Sequence, residues 1–219
     1  SCSADRNCRG KITRDGLFLE DLERHPSRFL KGIRSAKAGP ETEIDLNRPI
    51  SEIVCDLSAL PVGALVRLSG PLVVARDIAH ARLWRRFCET GRIPDYFKQH
   101  PIYYAGPAKT PKGMASGSFG PTTAQRMDGY MPAFMQAGAS LITMGKGNRS
   151  AQIIEACRSY GGFFLGTIGG AAALIAKKHI CESEVIDFPE LGMEAVRRIV
   201  VEDLPAFVIY DDKGGDLYK

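Results

Sequence analysis

Between positions 115 and 128 the sequence reads Ala-Ser-Gly-Ser-Phe-Gly-Pro-Thr-Thr-Ala-Gln-Arg-Met-Asp. Gly117 and Gly120 let a backbone come close to a ligand, and Pro121 sets the approach to a helix. Thr122 and Thr123 would then stand at a helix N-terminus, where free N–H groups and the helix dipole favour an anion. Arg126 follows Thr122 by four residues, so the two would share a helix face. A hydroxyl and a guanidinium converging there would form a carboxylate or phosphate pocket. The same pattern also fits an ordinary helix cap followed by a surface arginine.

Two more segments carry cations in suggestive places. Met144-Gly145-Lys146-Gly147-Asn148-Arg149-Ser150 lies between an apolar run and a helical pattern. It would present the Lys146 ammonium to an anion, although it lacks the phosphate-loop spacing G-x-x-x-x-G-K-[ST]. A solvated turn lysine is the alternative. In Arg76-Asp77-Ile78-Ala79-His80, Arg76 would be a bidentate carboxylate clamp and Asp77 a helix N-cap. His80 is expected to be a packed or surface residue. Gly166 to Ala173 reads as tight helix-on-sheet packing. Pro189-Glu190-Leu191-Gly192-Met193-Glu194 reads as a structural turn, with Glu190 a minor functional candidate. Cys2 and Cys8 are spaced C-x5-C and no C-x-x-C occurs, so a self-contained metal site is not expected. Cys55, Cys88, Cys157 and Cys181 are expected to be buried thiols.

The elements that position these residues alternate in type. A hairpin is expected at Asp15-Gly16, then a charged connecting segment with prolines at 26, 40 and 49. A short helix would begin at the cap Ser51 and bury Ile53, Val54, Leu57 and Leu60. Strands are expected over 65–68 and 72–74 around a Ser69-Gly70-Pro71 turn, and over 101–105, 141–144 and 162–167. Helices are expected over 77–90, 122–136, 149–160 and 169–178, and extended chain over 180–188, 195–201 and 206–210. This interleaving predicts an α/β fold with some parallel strands. Residues 1–48 form the connecting segment, and 49–219 the compact domain.

Composition bounds the function. With 44% hydrophobic and 25% charged residues in 219, the chain is neither disordered nor fibrous. A net charge of +4 spread along the chain argues against a nucleic-acid binder. No apolar run reaches the roughly 18 residues of a membrane span, so no membrane partner is expected. Six cysteines are too few for a disulfide scaffold. The chain starts at Ser1 rather than Met, so it is expected to be a piece of something longer or a processed chain.

Taken in order, several stretches resemble the iron–sulfur (class I) fumarate hydratases. They are Cys2 to Asn7, Asp45 to Pro49, Arg76 to His80, His100 to Pro111, Gly120 to Asp128, Lys146 to Ser150, Pro189 to Ala195 and Val201 to Asp203. The resemblance covers nearly the whole chain and only the C-terminal part of that family's chain. It implies a swivelling β/β/α domain, with a mixed sheet and flanking helices, closing over a larger N-terminal domain. It implies a 4Fe–4S cluster held by three cysteines, of which Cys2 is one and two belong to the N-terminal domain. It implies reversible hydration of fumarate to (S)-malate, with Thr122 as catalytic base and Arg76, Arg126 and Lys146 as substrate-carboxylate ligands. It implies a homodimer at full length in a reducing compartment, cytoplasm or mitochondrial matrix, and an isolated domain inactive alone. Gln125 departs from the small residue common in the family and bears on substrate preference. The alternatives are a mesaconate or tartrate hydro-lyase domain, or a non-catalytic anion-binding module.

Overall fold

A computed structural model describes residues 10–19 and 41–219. The chain divides into two units, 1–37 and 38–219. Cys2 and Cys8 lie outside the described residues. In the first unit, β1 (Gly10–Thr13) and β2 (Gly16–Leu19) pair antiparallel around Arg14-Asp15. The loop sits one residue earlier than the Asp15-Gly16 expectation, and Gly16 takes the positive φ of 139°.

The second unit is α/β with a mixed sheet. β3 (Thr42–Asp45) and β4 (Leu65–Val74) are parallel neighbours, separated in sequence by α1 (Ile50–Ser58). β3 draws part of the 1–48 segment into the sheet. α2 (Asp77–Thr90) and the short α3 (Asp95–Gln99) lead to β5 (Ile102–Tyr103), parallel to β4. β8 (Ile142–Gly145), α5 (Ala151–Tyr160) and β9 (Phe163–Gly166) extend the parallel series. After α6 (Ala172–His179), β10 (Ile180–Asp187) and the 15-residue β11 (Val196–Tyr210) run antiparallel to each other. β11 also pairs with β4 and with β9. β4 and β9 are already joined through β5 and β8, so β11 closes these strands into a ring. Outside the sheet, β6 (Ala105–Pro107) and β7 (Phe119–Pro121) form a small ribbon, and α4 (Met131–Gln136) precedes β8.

Residue alternation divides the interior in two. Leu72, Val74, Tyr103, Met144 and Leu165 pack in one core with Ile53 and Leu57 of α1 and Ile175 of α6. Val73, Ile102, Tyr104 and Phe164 face a second core with Leu83 of α2, Phe134 of α4 and Ile153 of α5. Near-continuous apolar strands follow from burial on both faces.

Four expectations are corrected. β4 does not turn at Ser69-Gly70-Pro71. Gly70 adopts φ 123° where a side chain would meet Leu46 and Asn47. Pro71 falls where β3 has ended and β5 has not begun, so its missing N–H costs no ladder bond there. The two late strands are one, with a bulge between Val201 and Leu204 where Asp203 takes φ 51°. α1 starts at Pro49 without a side-chain cap, rather than at Ser51. Of the four described cysteines only Cys157 is buried, because Cys55 and Cys88 fall on outward helix faces and Cys181 on β10.

Candidate active site

The parallel strands β4, β5, β8 and β9 all end on one edge of the sheet, where ligand clefts of α/β folds form. Arg76 follows β4, the β6–β7 ribbon and Thr122 follow β5, Lys146 follows β8, and Thr167 to Gly170 follow β9. The sequence scatters these residues over about ninety positions, and the sheet gathers them.

Thr122 does not begin a helix. Its N–H donates to the Tyr104 carbonyl at 2.7 Å, and its own carbonyl accepts from the Lys146 N–H at 3.1 Å. The Ala124 N–H returns a bond to the Lys146 carbonyl at 2.9 Å. Residues 122–124 are therefore extended along the Lys146 segment, and only Ala124–Met127 coils, as a 3-10 turn. The helix N-terminus expected at Thr122 is therefore not formed, and the Thr122 and Ala124 N–H groups donate to backbone carbonyls. Thr122 and Arg126 do not share an α-helical face, because Thr122 lies in the extended stretch and Arg126 in the turn. Gly117 and Gly120 approach protein and not an open ligand space. A Cβ on Gly117 would lie 2.4 Å from the Ala108 carbonyl, and one on Gly120 would lie 2.8 Å from the Ala172 Cβ.

The cations are held from several sides. Lys146 runs over Gly169, where an added Cβ would sit 3.2 Å from its Cδ. Arg126 is exposed and its Nη1 lies 3.2 Å from Asp77 Oδ2. This contact joins the 3-10 turn to the start of α2. Arg76, half-buried, is the N-cap position of α2, so Asp77 is its first residue and not its cap. The Arg76 Nε is 3.1 Å from Glu194 Oε1. Glu190, the candidate read from the sequence, instead pairs with Arg82 on an exposed flank. Sequence reasoning missed Glu194 and the Asp77 contact. The stretch around Glu194 was visible as a motif, but which of its two carboxylates meets the site depends on the chain reversal at Gly192, φ 58°.

His80 explains the rest of its motif. It is fully buried among Phe97, Tyr104, Tyr130 and Phe134. Its N–H and its Nδ1 both lie 2.9 Å from the Arg76 carbonyl, with Nδ1 as donor in the neutral ring. Burial, against the weaker pull of that bond, lowers its pKa to about 4. A histidine lowered from 6.5 stabilises the fold fully above pH 6.5, and that contribution is lost as pH falls towards 4. The loss amounts to roughly 3 kcal/mol. Denaturant unfolding of this chain between pH 7 and 4 is expected to show it, and His80→Gln is expected to flatten that slope. An unchanged slope in the variant would refute the assignment.

Arg149 and Asp128 of the flanking motifs are structural. Arg149 Nε lies 2.7 Å from Asp128 Oδ1, with side-chain exposures of 0% and 5%. Asp128 Oδ2 accepts from the Ser150 N–H and hydroxyl at 2.7 and 2.8 Å. This network clamps the end of the 3-10 turn to the start of α5.

Among the described residues no three His, Cys, Asp or Glu side chains are placed to hold a metal ion. The described cysteines do not gather at this edge, and Cys2 lies outside the described residues. The described part of the chain therefore supplies no ligand set for a cluster. No described helix is long and apolar enough to cross a membrane.

Comparison with known proteins gives a consistent result. Residues 16–219 match the family model described as Fumarase C-terminus. The chain is 52% identical over 220 residues to the aerobic class I fumarate hydratase of Salmonella typhimurium, covering all of this chain and 38% of that protein. It is 52% identical over 220 residues to fumarate hydratase 2 of Leishmania major, covering all of this chain and 39% of that protein. A Methanocaldococcus jannaschii protein with the provisional name L(+)-tartrate dehydratase subunit beta is 32% identical over 168 residues, 75% of this chain and 86% of that protein. The chain thus spans about two fifths of the length of the fumarate hydratases it matches.

Proposed function

The chain belongs to the Fumarase C-terminus family, and on that premise we propose that it is the C-terminal domain of a class I fumarate hydratase, interconverting fumarate and (S)-malate. The observation that carries this reading is the convergence of Arg76, Arg126, Lys146 and Thr122 on one sheet edge. Three cations suit a substrate with two carboxylates. They also offset the charge that grows on the carboxylate as a proton leaves the neighbouring carbon. Thr122 moves that proton. Its hydroxyl is a weak base, so it needs an activating carboxylate, which the N-terminal part supplies in this reading.

The rim supports a partner. Ile78 at 49% exposure, Met193 at 56% and Ile168 at 55% flank Arg76, Glu194 and Gly169. Apolar side chains beside a cationic floor suit a surface that the N-terminal domain covers, with the domain swivelling to close. The full-length protein would be a homodimer in a reducing compartment, cytoplasm or mitochondrial matrix. Cys2 would be this chain's one thiolate on a 4Fe–4S cluster, which supplies Lewis acidity towards the substrate hydroxyl and a carboxylate when bound.

The match to the Methanocaldococcus jannaschii protein favours tartrate as the second reading. A substrate panel on the anaerobically prepared full-length protein separates them. Fumarate hydration is expected to exceed turnover of tartrate and mesaconate, and the chain 1–219 alone is expected to be inactive. A preference for tartrate or mesaconate would remove the fumarase assignment and leave the hydro-lyase chemistry in place.

A further inference from the structure

We infer that Glu194 is a positioning residue, whose carboxylate holds the Arg76 guanidinium in the attitude from which it takes a substrate carboxylate. This rests on the reading above that Arg76 binds the substrate.

An arginine has a long stem with several soft torsions, and holding it in one geometry costs rotamer entropy. At Arg76 the backbone is fixed by the two contacts from His80, but these do not restrain the guanidinium. Glu194 does. Its Oε1 meets Arg76 Nε at 3.1 Å, an ion pair in which the Nε–H is not aligned on the oxygen. Its Oε2 accepts from the Ile78 N–H at 3.4 Å, in the first turn of α2. One carboxylate thus spans the helix that begins at Arg76 and the Arg76 side chain itself.

Glu194 is well placed to act as a fixed post. Ala195 and Val196, which follow it, are buried, and Val196 opens β11. The Met193 carbonyl before it packs on Gly106, as does the Arg76 side chain. A Cβ at Gly106 would lie 2.8 Å from Arg76 Cδ and 3.0 Å from both Arg76 Nη1 and the Met193 oxygen. Glycine at 106 therefore admits the guanidinium while Glu194 occupies its Nε side. The two terminal nitrogens are left to meet a carboxylate as a fork.

The test is steady-state kinetics of the full-length enzyme with (S)-malate, with thermal melting run alongside. Glu194→Ala is expected to raise KM by roughly ten- to a hundredfold, the scale of a positioning error of about 1 Å, with a smaller change in kcat. Glu194→Gln, which keeps an acceptor for Arg76, is expected to recover much of the loss. Gly106→Ala, which displaces the same guanidinium from the other side, is expected to copy Glu194→Ala. In Arg76→Ala, adding Glu194→Ala is expected to change nothing further. If Arg76→Ala is impaired while KM in Glu194→Ala stays within about twofold of the parent, or if the two effects add in full, the inference is overturned and the role of Arg76 stands. If Arg76→Ala itself leaves KM unchanged, the underlying site reading fails first. Should Glu194→Ala not fold, Glu194→Asp, which draws the carboxylate back from Arg76, decides: a KM raised several-fold supports the inference, and a KM within about twofold of the parent overturns it.

Discussion

Thr122→Ala in the full-length protein is expected to lower kcat for fumarate hydration by about 10²- to 10⁴-fold, the range for losing a general acid–base group. The substitution is clean because both backbone groups of Thr122 are engaged, the N–H with Tyr104 and the carbonyl with Lys146. Alanine keeps these bonds, so the loop and its register with Lys146 persist. Only the hydroxyl goes. KM is expected to move little, since the carboxylates rest on Arg76, Arg126 and Lys146 in the proposed reading. Thr122→Ser restores a hydroxyl on the same backbone and is expected to keep most of the rate. A Thr122→Ala enzyme within twofold of the parent would show that the proton is moved by another group.

Asp128→Ala is expected to destabilise the chain by about 3–5 kcal/mol, because it strands a buried guanidinium without its counter-charge. Arg149 is enclosed by Tyr104 at 5.4 Å and Phe164 at 5.1 Å and keeps only its bond to the Thr143 hydroxyl at 2.9 Å. The same substitution removes the one oxygen that accepts from both the N–H and the hydroxyl of Ser150, the N-cap of α5. In a domain of this size the loss corresponds to a fall in Tm of roughly 6–20 °C. Replacing the pair together, Asp128→Leu with Arg149→Met, is expected to cost less than Asp128→Ala, since no charge is left buried. Denaturant melts of the three variants give the comparison. A single variant within 1 kcal/mol of the parent would mean that the network does not bear on stability.

These two effects separate what the motifs mean. In Gly120 to Asp128 and in Lys146 to Ser150, exposed or half-buried Thr122, Arg126 and Lys146 face the sheet edge. Their neighbours Asp128, Arg149 and Ser150 tie the two segments together beneath it. Nothing in the residue type distinguishes Arg126 from Arg149, because both are arginines in short glycine-containing motifs. Burial decides, and burial is a property of the packed sheet. Glu190 and Glu194 differ in the same way, by which side of a glycine turn each falls on.

Local chemistry was enough for much of the rest. Periodicity placed α2 at 77–90 and the apolar runs of β5, β8 and β9 close to their observed bounds, since amphipathic and fully buried patterns are written in neighbouring residues. Those positions also put Arg76 and Lys146 at strand exits. What misled was the stretch from Thr122 onward. There a proline and two threonines carry the local signature of a helix start, yet the Tyr104 and Lys146 backbones offered better partners for the same N–H and carbonyl groups. Likewise Gly70-Pro71 looks like a turn in isolation and is strand because β11 supplies a ladder beside it. By itself the sequence marked Arg76, Thr122, Arg126 and Lys146 as candidates for an anion site and put Arg76 and Lys146 at strand exits, because residue type and short-range pattern suffice for that much. Only the tertiary structure decided which of those residues share an edge, which carboxylate stands beside Arg76, and which arginine is buried, because each depends on hydrogen bonds and packing between segments tens of residues apart.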